Sequence, residues 1–211
     1  MIKAVIFDYN GTLVDDTQKM ARLFSNALEK AGLPAISLAE FKAHFALPTS
    51  KMVSNLGLGE KEGKKVIDNF IEEWRIFKGE SPLFPDTREI LQYLKSNNIK
   101  VVILTTYLMQ PLKKELRENK IAKFVDEIIC NPDKVEAIND FVKDTLINPE
   151  DILCVGDAEY DIESGRQCGS ITAAYTNGYV SKAKLEKAKP DYSISSLSSI
   201  KVIIKRSEAA S

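Results

Sequence analysis

A chain of 211 residues with 29 Lys and Arg against 30 Asp and Glu is close to neutral. That balance excludes the basic footprint of a duplex nucleic-acid binder and the cationic face that anionic membranes attract. The length suits one sizeable core with a smaller appendage. The opening MIKAVIFD has no apolar segment ahead of a small-residue cleavage site, so no signal peptide is expected. No apolar run approaches a membrane span. Cys130, Cys154 and Cys168 show no C-x-x-C spacing and read as reduced thiols of a cytoplasmic protein. His44 is the one histidine, a surface or packing residue, which leaves a Ser–His mechanism poorly supported.

In chain order, the first element is an apolar run, Ala4-Val5-Ile6-Phe7, β-branched at Val5 and Ile6. It reads as a buried parallel strand with Asp8 at its carboxyl end and Gly11 allowing a tight turn. Residues 16–31 carry apolar side chains at helical spacing, and Gly32 follows as a stop. Ser37 with Glu40 forms a capping box ahead of a short helix through Phe45. Further helices are expected near 50–56 and along the stripe Val66, Ile67, Phe70, Ile71, Trp74 and Phe77. No strand is expected between Val14 and about Pro85, so this stretch reads as a small helical bundle.

After Pro85 the pattern alternates. A helix starts at Asp86-Thr87-Arg88-Glu89, and strands are expected over 99–104, 125–130, 152–155, 171–175 and 192–195. Helices fall after them, with Pro111 in a first turn and others over 135–146 and 161–168. Residues 205–211 read as a frayed tail. Alternation of this kind predicts an α/β fold, a Rossmann-like parallel sheet with right-handed crossovers. The core then comprises residues 1–15 and 86–205, with a helical insert over 16–85 and a tail over 206–211.

Polar residues close four of the strands. Asp8 alone is an ordinary turn former. Beside it, however, fall Thr105-Thr106, Lys134 and the Gly156-Asp157-Ala158-Glu159-Tyr160-Asp161 run. Ligands of open α/β sheets bind outside those carboxyl ends. Three carboxylates gathered there repel one another unless a cation sits among them, and oxygen-only ligands make Mg²⁺ the natural candidate. Thr105 and Lys134 are donors suited to the oxygens of a phosphoryl group.

FDYNGTLVDD, LTT, Lys134 and GDAEYD resemble, in order, the four motifs of the haloacid dehalogenase superfamily, in its phosphoglycolate-phosphatase-like group with a helical cap. Nearly the whole chain is similar. The resemblance implies that Asp8 is the nucleophile and that Thr105 and Lys134 hold the phosphoryl group, with Gly11 and Thr106 as further phosphate contacts. It implies Mg²⁺ on Asp8, the backbone carbonyl of Asn10 and Asp157, with Asp161 in or just behind the coordination sphere. The insert becomes a cap closing over the sheet edge. The family's phosphatases have Asp two residues after the nucleophile as general acid and base; here Asn10 stands there, and an amide has no proton to give. The leading expectation is a Mg²⁺-dependent phosphatase of a small phosphorylated metabolite, slowed by Asn10. The alternatives are a catalytically weak phosphate-binding or regulatory protein, favoured by Asn10, and a 2-haloacid dehalogenase, disfavoured by Asp157 with Asp161. Substrate and oligomeric state are not legible.

Overall fold

The structure is a computed structural model that describes residues 1–77 and 81–209. Six parallel strands form one sheet in the order β3-β2-β1-β4-β5-β6. They are β1 (Ala4–Phe7), β2 (Lys100–Thr105), β3 (Glu127–Cys130), β4 (Ile152–Gly156), β5 (Ile171–Tyr175) and β6 (Tyr192–Ile194). β1 lies centrally, with Phe7 opposite Ile103 on one side and Val155 on the other.

The period of two along each strand sorts its side chains to opposite faces. Val5, Phe7, Val101, Ile103, Leu153 and Val155 join one buried cluster. Helices α5 (Thr87–Ser96), α6 (Met109–Glu118) and α10 (Ile200–Ala209) cover it. Ala4, Ile6, Val102, Leu104 and Cys154 join the other, beneath α7 (Lys134–Thr145). Strands buried on both faces read as unbroken apolar runs, which is why β1, β2 and β4 were legible. On α8 (Glu159–Gln167), Gly165 lies so close to β4 that a Cβ there would press on Cys154.

Between β1 and α5 lie α1 (Thr17–Lys30), α2 (Leu38–His44), α3 (Thr49–Asn55) and α4 (Glu60–Ile76). The Ser37–Glu40 capping box starts α2 as expected. These helices join a buried cluster around Phe24, Phe41, Met52 and Val66 that also takes in Ile162, Ala174 and Tyr179 from the sheet layer. The chain leaves and re-enters the sheet layer side by side: Asp15 N–H donates to Pro82 at 2.7 Å and Phe84 N–H to Leu13 at 3.1 Å. A bridge pairs Val14 with Leu83 there.

Three expectations need correction. The tail expected from residue 205 is helix through Ala209: Ile200, Ile203 and Ile204 bury one face of α10 on the sheet, and Ser207 Oγ accepts the Ile2 N–H at 3.2 Å. Residues 210–211 lie outside the described residues. β3 starts at Glu127, because Ala122–Phe124 forms a single 3₁₀ turn and the Asp126 side chain takes the Val101 N–H at 2.9 Å. α9 (Lys182–Lys187) was not expected; six residues that bury only Leu185 carry almost no periodic signal. Among the described residues no helix is long and apolar enough to cross a membrane.

Candidate functional site

The carboxyl edges of the strands build the floor. Asp8 follows β1, and its N–H continues the ladder to Val155 at 2.9 Å. Lys134 opens α7 and is 3% exposed. Its ammonium donates to Asp8 Oδ1 at 2.7 Å and to Asp161 Oδ1 at 2.5 Å. Burial alone would favour losing that proton, but the Asp161 and Asp8 carboxylates outweigh burial and hold Lys134 above the usual ammonium range. Asp161 Oδ2 accepts the Ala158 N–H at 3.0 Å, so this acid is seated on the first turn of its own helix while it holds the lysine.

Asp157 is deeper, 1% exposed. Thr12 Oγ donates to one oxygen at 2.7 Å and the Tyr179 N–H to the other at 2.6 Å. The seat is tight: a Cβ on Gly11 or Gly178 would strike the Asp157 carboxylate, and Gly11 also has φ +79°, a left-handed conformation.

Asp8, Asp157 and Asp161 each present an oxygen within 4.8 Å of the others. Burial pushes the Asp8 carboxyl up to about 6 against the pull of Lys134. Burial, then the charges of Asp8 and Asp161, push Asp157 well above the carboxylate range. Carboxylates so disfavoured in their ionised form fit a divalent cation among them, and an all-oxygen donor set suits Mg²⁺.

Thr105 ends β2, 2% exposed. Its Oγ accepts the Tyr107 N–H at 3.1 Å, a role that leaves the hydroxyl free to donate. Thr106 follows on the exposed side. Both line a cavity of about 240 Å³ together with Asp8, Asn10, Asp157 and Asp161. Thus the residues singled out from sequence at four strand ends meet in one place.

Two further residues were not singled out. Asn10 Nδ2 donates to Asp16 Oδ2 at 2.8 Å, and the Tyr179 hydroxyl donates to Asp16 Oδ1 at 2.6 Å. Asp16 is 1% exposed, and burial raises its carboxyl against the opposing pull of Tyr179, Lys19 and Asn10. Tyr179 therefore touches two buried acids, Asp157 through its backbone and Asp16 through its ring hydroxyl. The Asp15-Asp16 doublet was a visible signal for the first; Tyr179 sits in a loop after β5 with none.

The far wall comes from the helical insert. Phe24, Phe41, Phe45, Met52, Phe70 and Trp74 face the carboxylates across the cavity. Among the larger polar and aromatic side chains of the insert, Trp74 lines the cavity. Lys42 reaches the Asn177 carbonyl at 3.4 Å. Lys51 and Arg75 are exposed, and His44 gives its carbonyl to Asn55 and its ring charge to Glu40 on the same helix.

Residues 5–175 match the profile of the haloacid dehalogenase-like hydrolases. A phosphoglycolate phosphatase of Aquifex aeolicus is 27% identical over 209 residues, covering 92% of each chain. A pyrophosphatase PpaX of Bacillus mycoides is 24% identical, covering 97% of this chain and 98% of that one. Among solved structures, a haloacid dehalogenase-like hydrolase of Streptococcus pneumoniae superimposes with a TM-score of 0.83 at 23% identity, over 96% of this chain and 98% of that one. With a profile match from β1 to β5 and the whole architecture shared, the chain belongs to the haloacid dehalogenase-like hydrolase family.

Proposed function

We propose that the protein is a phosphatase of small phosphorylated metabolites that works through an aspartyl-phosphate on Asp8. The observation that carries this reading is the clustering of Asp8, Lys134, Asp157 and Asp161 at one sheet edge, with Thr105 opening onto the same cavity. The phosphatase names borne by its relatives support it. Asp8, Asp157 and the Asn10 carbonyl would hold Mg²⁺, with Asp161 beside them; bound there, the ion neutralises charge on the phosphoryl group.

The residues divide the work. Asp8 attacks phosphorus, and the leaving oxygen departs on the opposite side. Lys134 and Thr105 donate to the phosphoryl oxygens, with Gly11 and Thr106 completing the cradle. Lys134 is already charged and held on Asp8, so little reorganisation precedes the attack. The helical insert excludes water while the ester bond breaks, and water enters to hydrolyse the acyl phosphate.

A second reading, a catalytically weak phosphate binder, draws on Asn10. Its amide is committed to Asp16, so this position supplies no proton to a leaving group. Phosphate release from a substrate panel with and without Mg²⁺ separates the two. Asp8→Ala should abolish turnover, and rapid-quench mass spectrometry of the parent should place a phosphate on Asp8. Asp157→Ala should lose more than about 100-fold in Mg²⁺ affinity, and Asp161→Ala about 10- to 100-fold. Full activity in Asp8→Ala sinks the proposal. EDTA-resistant dehalogenation of a 2-haloacid would replace it with the dehalogenase alternative.

A further inference from the structure

Building on the phosphatase reading, we infer that the substrate is a phosphate monoester of a flat apolar group, foremost an aryl ester, with no negative charge beyond its phosphoryl group. The wall opposite Asp8 carries the argument. Rings of Phe24, Phe41, Phe45, Phe70, Trp74 and Tyr107 line it. No Lys, Arg or His is among the described lining residues. Aromatic faces carry the negative part of the ring quadrupole, so they repel an anion and pack well against another ring. A second carboxylate or phosphate against this wall would lose its water and gain no partner from the rings.

Lys134 is held on the floor by Asp8 and Asp161, and two lysines beside the wall are engaged elsewhere. Lys42 lies outside the lining, 3.4 Å from the Asn177 carbonyl and within Coulombic reach of the Asp157 carboxylate, which holds its charge toward the floor. Lys19 bonds Ser81 and sits 5.0 Å from the Trp74 ring centroid.

The wall is preorganised. Tyr107 stacks on Tyr9 with centroids 6.4 Å apart and planes within 7°. Their hydroxyls donate to one carboxylate, Glu115, at 2.8 and 3.1 Å. Trp74, from α4, meets Tyr107 edge-on at 5.8 Å. One ring of this ladder comes from the insert and two from the loops after β1 and β2. The cavity's volume of about 240 Å³ falls below the roughly 300–1,000 Å³ of drug-sized ligand sites, so it suits one ring system and not a nucleotide.

The chemistry at position 10 points the same way. As Asp8 Oδ bonds to phosphorus, the P–O(aryl) bond breaks and its electron pair leaves on the aryloxide, a base weak enough to depart unprotonated. Water then bonds to phosphorus, the bond to Asp8 breaks and the carboxylate is restored. The dihydrogen phosphate released passes a proton through solvent to the aryloxide, giving the phenol and hydrogen phosphate. No step asks Asn10 for a proton.

The test compares phenyl phosphate, benzyl phosphate, phosphoglycolate and pyrophosphate on the full chain with Mg²⁺. Benzyl phosphate and phosphoglycolate are both alkyl esters, so their ratio isolates the wall; phenyl against benzyl isolates the leaving group. Benzyl phosphate should exceed phosphoglycolate at least about tenfold in kcat/KM, mainly through KM, with phenyl phosphate highest. Met20→Lys places an ammonium at a half-buried lining position and should shrink or invert the benzyl-to-phosphoglycolate ratio. Trp74→Ala should raise KM for both ring substrates by a clearly larger factor than for phosphoglycolate; thermal melts check that each variant is folded. A parent that prefers phosphoglycolate or pyrophosphate overturns the inference and leaves the phosphatase reading standing. So does an unchanged ratio in both folded variants. Absence of turnover and of any phosphoenzyme on all four overturns both.

Discussion

The floor and the far wall of the cavity are built on opposite rules. On the floor the contacts are charged, and the acids are held: Lys134 between Asp8 and Asp161, Asp157 between Thr12 and Tyr179. On the wall almost every contact is apolar, and rings meet rings: Phe41 and Phe45 pack on Tyr179, and Phe24 packs on Phe70. On the proposed function the floor would fix a phosphoryl group whatever it is attached to. The wall's rings offer an anion no partner, and on the proposed reading they would select what is attached. On the proposed function, reaction type would rest on the strand ends and substrate choice on the helical insert.

The sharpest way to break this contrast is to remove charge from the floor. Lys134→Met keeps the stem and deletes the ammonium, leaving Asp8 and Asp161 buried beside each other without a counter-charge. Breaking a buried pair on one side costs about 3–5 kcal/mol. Urea unfolding in EDTA should show a loss of that size. Added Mg²⁺ should recover part of it, because the cation returns positive charge to the same acids. A metal-free loss below about 1 kcal/mol would mean that water already screens the floor. Met20→Lys, at the wall, should show no comparable Mg²⁺-dependent recovery.

A smaller effect is expected from pH alone. The Asp8 carboxyl is raised to about 6, against about 3.9 in an unfolded chain. Between those values the folded state binds more protons than the unfolded state. Asp8 therefore makes stability fall as pH rises from about 4 to about 6, and its share, up to about 3 kcal/mol, is complete above that. Asp157, shifted in the same direction, extends the decline upward. Acids held low elsewhere, such as Asp151 beside Lys3, give the opposite slope, but mainly below pH 4. Melting temperatures in EDTA should drop between pH 5 and 6.5, and the drop should shrink in Asp8→Asn. Saturating Mg²⁺ should flatten or reverse the slope, since it favours the ionised acids. A metal-free protein that gains stability over this range would show that the floor is wet.

The same division explains what could be read in the sequence. Asp8, Thr105, Lys134, Asp157 and Asp161 were legible because each closes or follows a strand, and parallel strands deliver their carboxyl ends to one edge whatever the details of packing. The sheet itself was legible for a similar reason: a strand buried on both faces announces itself as an apolar run. The wall was not. The stripe through Phe70 and Trp74 shows a helix with an apolar face, but only tertiary packing decides which of its rings turn toward the carboxylates. Tyr179 was silent because its role depends on a loop that returns from β5 toward Asp157. Asp16 stood in plain view beside Asp15, yet a pair of acids after a turn says nothing about which one is buried. α9 and the last turns of α10 were lost where periodicity is short or charged.

The smallest effect, and the one that joins floor to wall, is expected at Asn10. Asn10→Asp introduces the proton donor that this position lacks. The new carboxyl, however, arrives where Asn10 Nδ2 now stands 2.8 Å from Asp16 Oδ2, next to an acid already raised by burial. Two carboxyls that close share a proton, so one of them stays protonated well above the usual range. That favours a donor near neutral pH and costs some stability. A general acid is worth about 10²–10⁴ when the leaving group needs one. Benzyl phosphate hydrolysis should therefore rise by about 10², near the low end because Asp16 also claims the proton. Phenyl phosphate, whose aryloxide leaves unaided, should change by less than about threefold. Adding Asp16→Asn removes the competing acid; it should lower the pH at which the alkyl-ester gain disappears, because the new carboxyl no longer has a like charge beside it. Equal gains for both esters would place the effect on the nucleophile or on the second hydrolytic step. No gain for either would leave turnover limited elsewhere on the floor, and the phosphate-binding reading would then take precedence.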